Sequence, residues 1–187
     1  MTRTSNELDG IKFECLNLLI VYLTYRNSIS EYSIRTGTRF DLHRWRVQLR
    51  VLENDLILRL CRLDDDDKTN HSLREALRSI RDSMPQQDAR LIDKRLKSYR
   101  QSINELKVKA RNYFLAHMSK DAVPSYDPQG GLEQYIQEVV NIVDAIAGKP
   151  VSYLLKVGSQ EPQLDLKFEL SSERRPIMSG RLKRSAI

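Results

Sequence analysis

The segment Thr38-Arg39-Phe40-Asp41-Leu42-His43-Arg44-Trp45-Arg46-Val47-Gln48-Leu49-Arg50-Val51-Leu52-Glu53-Asn54-Asp55-Leu56-Ile57-Leu58-Arg59-Leu60-Cys61-Arg62-Leu63 decides the fold class. Leu42, Trp45, Leu49, Leu52, Leu56, Leu60 and Leu63 recur three or four residues apart, which is the stripe of a long amphipathic helix. Val47, Val51 and Leu58 fall beside that stripe and widen it, so the helix is expected to make contacts on more than one side. Trp45 lies on the stripe and reads as a core residue.

Working outward toward the N-terminus, a first helix is expected from Ser5 or Asn6, where Glu7 and Asp9 suit its positive end. Ile11, Cys15, Leu18, Leu19 and Tyr22, with Tyr25 or Arg26, trace one face, and the helix should fade between Asn27 and Gly37. On the other side, Asp64-Asp65-Asp66-Asp67-Lys68 breaks the pattern. Four adjacent like charges repel, and Asp is a poor helix-interior residue, so this reads as an exposed loop. A divalent-metal site is the other reading, although consecutive Asp residues do not by themselves make convergent ligands.

A short helix is expected over Ser72–Ser83, ended by Pro85. A long one follows from about Gln86 to His117, with Ile92, Leu96, Tyr99, Ile103, Leu106, Ala110 and Phe114 in steps of four and three. Another spans Leu132–Ala147, stopped by Gly148 and Pro150. Beyond it Leu164-Asp165-Leu166-Lys167-Phe168-Glu169-Leu170 alternates apolar and charged residues, a strand signal, with Val151–Val157 as its expected hairpin partner. The chain thus reads as mainly α. It divides into a helical domain over 1–148, a β-hairpin appendage over 149–170 and a basic flexible tail over 171–187.

Composition narrows the class. The chain has 187 residues, 30% charged, with 7 Gly and 6 Pro, which suits charged helices better than a turn-rich β fold. Cys15 and Cys61 sit among apolar residues at helical spacing and read as reduced packing residues. No zinc spacing, membrane span, secretion signal or phosphate-binding Gly-rich loop is present in the sequence, which predicts a cytoplasmic protein with no metal or cofactor. The net charge is +6, and four of those charges come from residues 171–187, where Arg174, Arg175, Arg181, Lys183 and Arg184 face only Glu173. Such a tail can meet RNA phosphates, or it can be a solvated end.

Chemistry concentrates in Arg111-Asn112-Tyr113-Phe114-Leu115-Ala116-His117. A guanidinium fits phosphate oxygens with a forked set of donors, and an imidazole titrates near neutral pH. Lys107, Lys109 and Lys120 add positive charge around His117, which favours its neutral, basic form. His117 can transfer protons, Arg111 can bind phosphoryl oxygens as charge builds on them, and Asn112 can orient sugar or imidazole. Six residues advance about 600° and roughly 9 Å along a helix, so one straight helix does not put Arg111 and His117 on one face. Either the helix loosens near His117 or two copies assemble the site across a twofold axis. The plainer reading makes Arg111 a solvated helix residue and His117 a cap on the helix C-terminus.

Lys109-Ala110-Arg111-Asn112-Tyr113-Phe114-Leu115-Ala116-His117, with Lys120-Asp121 after it, resembles the Arg-polar-x(4)-His motif of the HEPN superfamily (higher eukaryotes and prokaryotes nucleotide-binding domain). Leu58-Arg59-Leu60-Cys61-Arg62-Leu63-Asp64 is similar to the apolar helix end and Arg-Leu-Asp step of its abortive-infection U-type (AbiU-like) branch. The likeness covers residues 10–147. It implies an HEPN-type antiparallel helical bundle, a homodimer with motif copies facing across a groove, and metal-independent endoribonuclease activity in defence or toxin–antitoxin systems. By that resemblance Arg111 and His117 are catalytic and Asn112 supports them. Some relatives are controlled by modification of a Tyr two residues after the His, a position held here by Ser119. RNA and an antitoxin protein are the implied partners. A non-catalytic RNA-binding module, or a structural protein joined through its hairpin edge, stays open beside the nuclease reading.

Overall fold

The computed structural model describes residues 3–31, 38–66, 71–110, 131–155 and 164–171. It contains α1 (Arg3–Glu31), α2 (Arg39–Leu63), α3 (Leu73–Ile80) with a 3₁₀ turn over Arg81–Ser83, α4 (Gln86–Ala110) and α5 (Gly131–Ala147). The strands β1 (Leu154–Leu155) and β2 (Leu164–Asp165) follow, then α6 (Leu166–Ser171). The protein is mainly α-helical, as its periodicity predicts.

The helix ends follow local chemistry. Thr38 caps α2: its hydroxyl accepts the Asp41 N–H at 3.2 Å, and the Asp41 carboxylate accepts the Thr38 N–H at 3.0 Å. Ser72 caps α3 by accepting the Glu75 N–H. Gly148 closes α5 at φ 66°, a left-handed conformation that costs glycine nothing, while its N–H and that of Lys149 bond back to Ala145 and Asp144.

The core is built around α1, which packs on α2, α3, α5 and α6. Ile11, Cys15, Leu18 and Leu19 are fully buried there, as the α1 spacing predicts, and meet Leu56 and Leu60 of α2 and Ile136, Val139 and Val143 of α5. α4 contributes Ile92, Leu96, Tyr99, Ile103 and Leu106. Trp45 is half-buried, and its indole N–H donates to the Ser28 carbonyl at 2.9 Å, fastening α2 to the end of α1.

Two expectations need correction. The Asp run is not simply an exposed loop: Asp64 is 2% exposed and belongs to the end of α2, Asp65 is half-buried, and Asp66 alone of the described three is exposed. Asp67 lies outside the described residues. The C-terminal hairpin exists, but it is short. β1 and β2 pair antiparallel over Leu154–Asp165 and Leu155–Leu164 only. Over Leu166–Ser171 the chain is helical, because an apolar residue at every second position also supplies an i, i+4 pair. Leu166 and Leu170 are buried as such a pair, while Phe168 is 69% exposed. Asp165 starts the turn by accepting the Lys167 N–H, and Lys167 is ion-paired with Asp144 of α5.

Candidate functional site

The motif residues Arg111, Asn112 and His117, together with Lys120, Arg174, Arg175, Arg181, Lys183 and Arg184, lie outside the described residues. Lys109 sits in the last turn of α4. What the structure does describe is the approach: α4 continues as helix to Ala110, the residue before Arg111 in the chain.

The end of that helix is clamped to the end of α2. The Asp64 carboxylate accepts Lys107 Nζ at 2.7 Å and Arg100 Nε at 3.2 Å. Arg100 also donates to the Asp64 carbonyl at 3.3 Å and to Asp66 at 2.5 Å. Its hydrogen bond holds the Asp66 carboxyl below the usual range. Arg74 of α3 approaches the other oxygen of Asp66 at 3.5 Å. A carboxylate as deeply buried as Asp64 needs charged partners to offset its lost hydration, and the two cations provide them. Lys107 thus has its charge paired with the Asp64 carboxylate.

Two further groups beside the clamp are chemically quiet. Burial pushes the Tyr99 phenol well above its usual value, so it stays a neutral donor, bonded to the Leu60 carbonyl at 3.1 Å. Burial also raises the half-buried Cys61 thiol despite nearby Lys107, and the fully buried Cys15 thiol is pushed up to about 12. Neither thiol has the lowered pKa of a nucleophile. His71 Nδ1 lies 3.0 Å from the Glu7 carboxylate of α1, a partner its sequence surroundings did not disclose.

The Asp64–Arg100–Lys107 clamp carried a sequence signal that the four-Asp run masked. Asp64 follows Leu60 by four residues and so continues the inward face of α2. Arg100 and Lys107 are seven apart, on the side of α4 that carries Ile103.

A groove of about 760 Å³ lies at the other end of α4, between Met84, Leu91 and Ile92 and the end of α5 at Ile146. Arg95 on its wall is bound bidentately to Glu138, both bonds 3.0 Å. From Arg95 to Lys107 the helix rises roughly 18 Å, so this groove and the motif end are separate places. A smaller groove of about 360 Å³ between α4 and α5 is lined by Glu105 and Glu138, carboxylates that repel phosphate. Among the described residues no group of three His, Cys, Asp or Glu side chains is placed to hold a metal ion, and no helix is long and apolar enough to cross a membrane.

A mostly helical bundle of this order fits an HEPN-type protein. The AbiU2 family of HEPN proteins matches residues 1–148, and the chain belongs to it. No curated protein and no solved structure matches the chain.

Proposed function

We propose that this chain is a metal-independent HEPN endoribonuclease acting in bacterial defence or as a toxin. RNA is its substrate, a second copy of the chain completes its cleft, and an antitoxin protein restrains it. His117 takes the 2′-OH proton or returns one to the leaving 5′-oxygen. The 2′-oxygen attacks phosphorus, the bond to the 5′-oxygen breaks, and a cyclic phosphate end remains. Arg111 binds the phosphoryl oxygens as negative charge grows on them, and Asn112 orients the reacting groups. Lys109, Lys120 and the tail cations Arg174, Arg175, Arg181, Lys183 and Arg184 hold the RNA backbone.

The observation that carries this reading is the family match over residues 1–148, which spans both the Arg-Leu-Asp step and the motif. The buried Asp64 clamp supports it by fastening α4 at Arg100 and Lys107, on the helix that leads to the motif. His117→Ala and Arg111→Ala should each lower RNA cleavage by about 100-fold or more, with the far-ultraviolet spectrum and thermal midpoint unchanged. The parent should keep cutting in EDTA and leave cyclic phosphate ends. Two variants that cut at the parent rate would end the nuclease reading. Salt-sensitive RNA binding without products would put a non-catalytic binding module in its place.

A further inference from the structure

α2 is apolar on two sides. The inner stripe, with Leu56, Leu60 and Leu63, belongs to the core. A second line faces outward: Phe40, Val47, Val51 and Leu58 are 71%, 48%, 62% and 41% exposed. Arg44 and Asn54 fill the gaps in that line, so the six positions follow one another in steps of four, three, four, three and four. That is a repeat of 3.5 residues held over 18, the signature of a coiled-coil seam rather than of scattered surface hydrophobics. Among the described residues, the buried core does not use it.

We propose that this outer face of α2 is a self-association seam, on which α2 of a second copy lies parallel and in register. Charge selects the occupant and its direction. One flank of the line carries His43 and Arg50, with Arg39 and Arg46 behind them, all exposed. The other flank carries Asp41 and Asp55. Parallel packing lays the basic flank of each copy along the acidic flank of the other, and Arg50 meets Asp55 of the partner subunit. Within its own helix Asp55 accepts from Arg59 through Oδ2, at 2.9 Å. Antiparallel packing sets basic flank on basic flank and acidic on acidic. Arg44, within the line, is ion-paired with Asp41 of its own helix at 3.3 Å, so its charge has a partner there. Asn54 faces its own copy, where two amides hydrogen-bond and fix the register.

The seam deepens the proposed function, because parallel α2 helices bring both Asp64 clamps, and with them both α4 ends, to one end of the dimer. Its test does not need RNA. Light scattering of the full chain at about 50 μM should give the mass of a dimer, a concentration at which micromolar association is nearly complete. Val51→Asp should weaken that dimer at least about tenfold while leaving the far-ultraviolet spectrum unchanged, since a buried unpaired charge opposes association and Val51 is exposed in the monomer. Leu58→Cys in a Cys61→Ser background should form a disulfide-linked dimer under mild oxidation. In the antiparallel overlay of the same six positions the two introduced thiols stand about 27 Å apart, far beyond the roughly 7 Å reach of a disulfide.

A monomer at 50 μM, or one that assembles only when RNA is added, overturns the seam. So does a dimer in which Leu58→Cys fails to link while Val47→Cys mixed with Val51→Cys succeeds. RNA cleavage on the same samples separates the two ideas. A linked Leu58→Cys dimer with no nuclease activity upholds the seam and removes the enzyme, whereas an active monomer does the reverse.

Discussion

At the scale of single residues, burial and charge rather than residue type set the roles. Asp64 and Asp66 are the same amino acid two positions apart, yet one is 2% exposed and braced by two cations while the other reaches solvent. A run of four carboxylates reads as a repelling surface loop because charge counts say nothing of the facing helix. Glu53 shows the cost of burial without a partner. Its Oε1 is buried with no hydrogen-bond partner, and burial pushes its carboxyl up to about 7, against a smaller downward pull from Arg50. The folded state thus keeps a proton that the unfolded chain loses above the ordinary carboxyl pKa. Stability from this group is fully present below about pH 4.5, falls as pH rises toward about 7, and stays lower beyond it. Glu53→Gln removes the penalty. Urea midpoints should show the variant more stable than the parent at pH 8 by about 1 kcal/mol, a figure reduced for the solvent-facing part of the carboxylate. The difference should close toward pH 4.5, and equal midpoints at both pH values would refute the assignment.

At the scale of elements, the helices of the bundle are legible, the eight-residue α3 included, and the six-residue α6 is not. α2, α4 and α5 repeat their apolar spacing over four or more turns, so one misplaced residue cannot disguise the period. The capping pairs Thr38–Asp41 and Ser72–Glu75 mark two starts as well. The stretch Leu164–Leu170 is too short to separate a period of two from a pair at i, i+4, and the docking of α6 on α1 decides between them. The two alternatives part experimentally at Phe168. In a strand, Leu166, Phe168 and Leu170 share a face and truncation of any one should cost alike. In the helix found here, Leu170→Ala should lose about 2–3 kcal/mol in urea unfolding and Phe168→Ala less than about 0.5 kcal/mol. The candidate site is the reverse case. Its motif was read from residue chemistry and a family likeness, while the clamp that steadies its helix needed the tertiary contact to be seen.

At the scale of the whole molecule, the family match and the folding unit do not end together. The match stops at residue 148, and a division there makes residues 149–170 an appendage. The core disagrees, because Tyr153, Leu166 and Leu170 are 2%, 1% and 3% exposed and belong to the same buried cluster as Ile11, Leu56 and Val139. Polar contacts cross the boundary too: Asp144 of α5 accepts the Val151 N–H at 2.8 Å and pairs with Lys167. Uncovering the faces of α1 and α5 that these groups protect forfeits about 1.5–3 kcal/mol for each large side chain, and three of them approach the whole stability of an ordinary domain. A chain cut after residue 148 should therefore express poorly or melt without a cooperative transition, even though it holds the complete family match. One cut after residue 171 should melt cooperatively near the full-length midpoint. Calorimetry of both would decide, and a sharp, parent-like transition in the shorter chain would show that α6 and the hairpin merely rest on a bundle already able to fold.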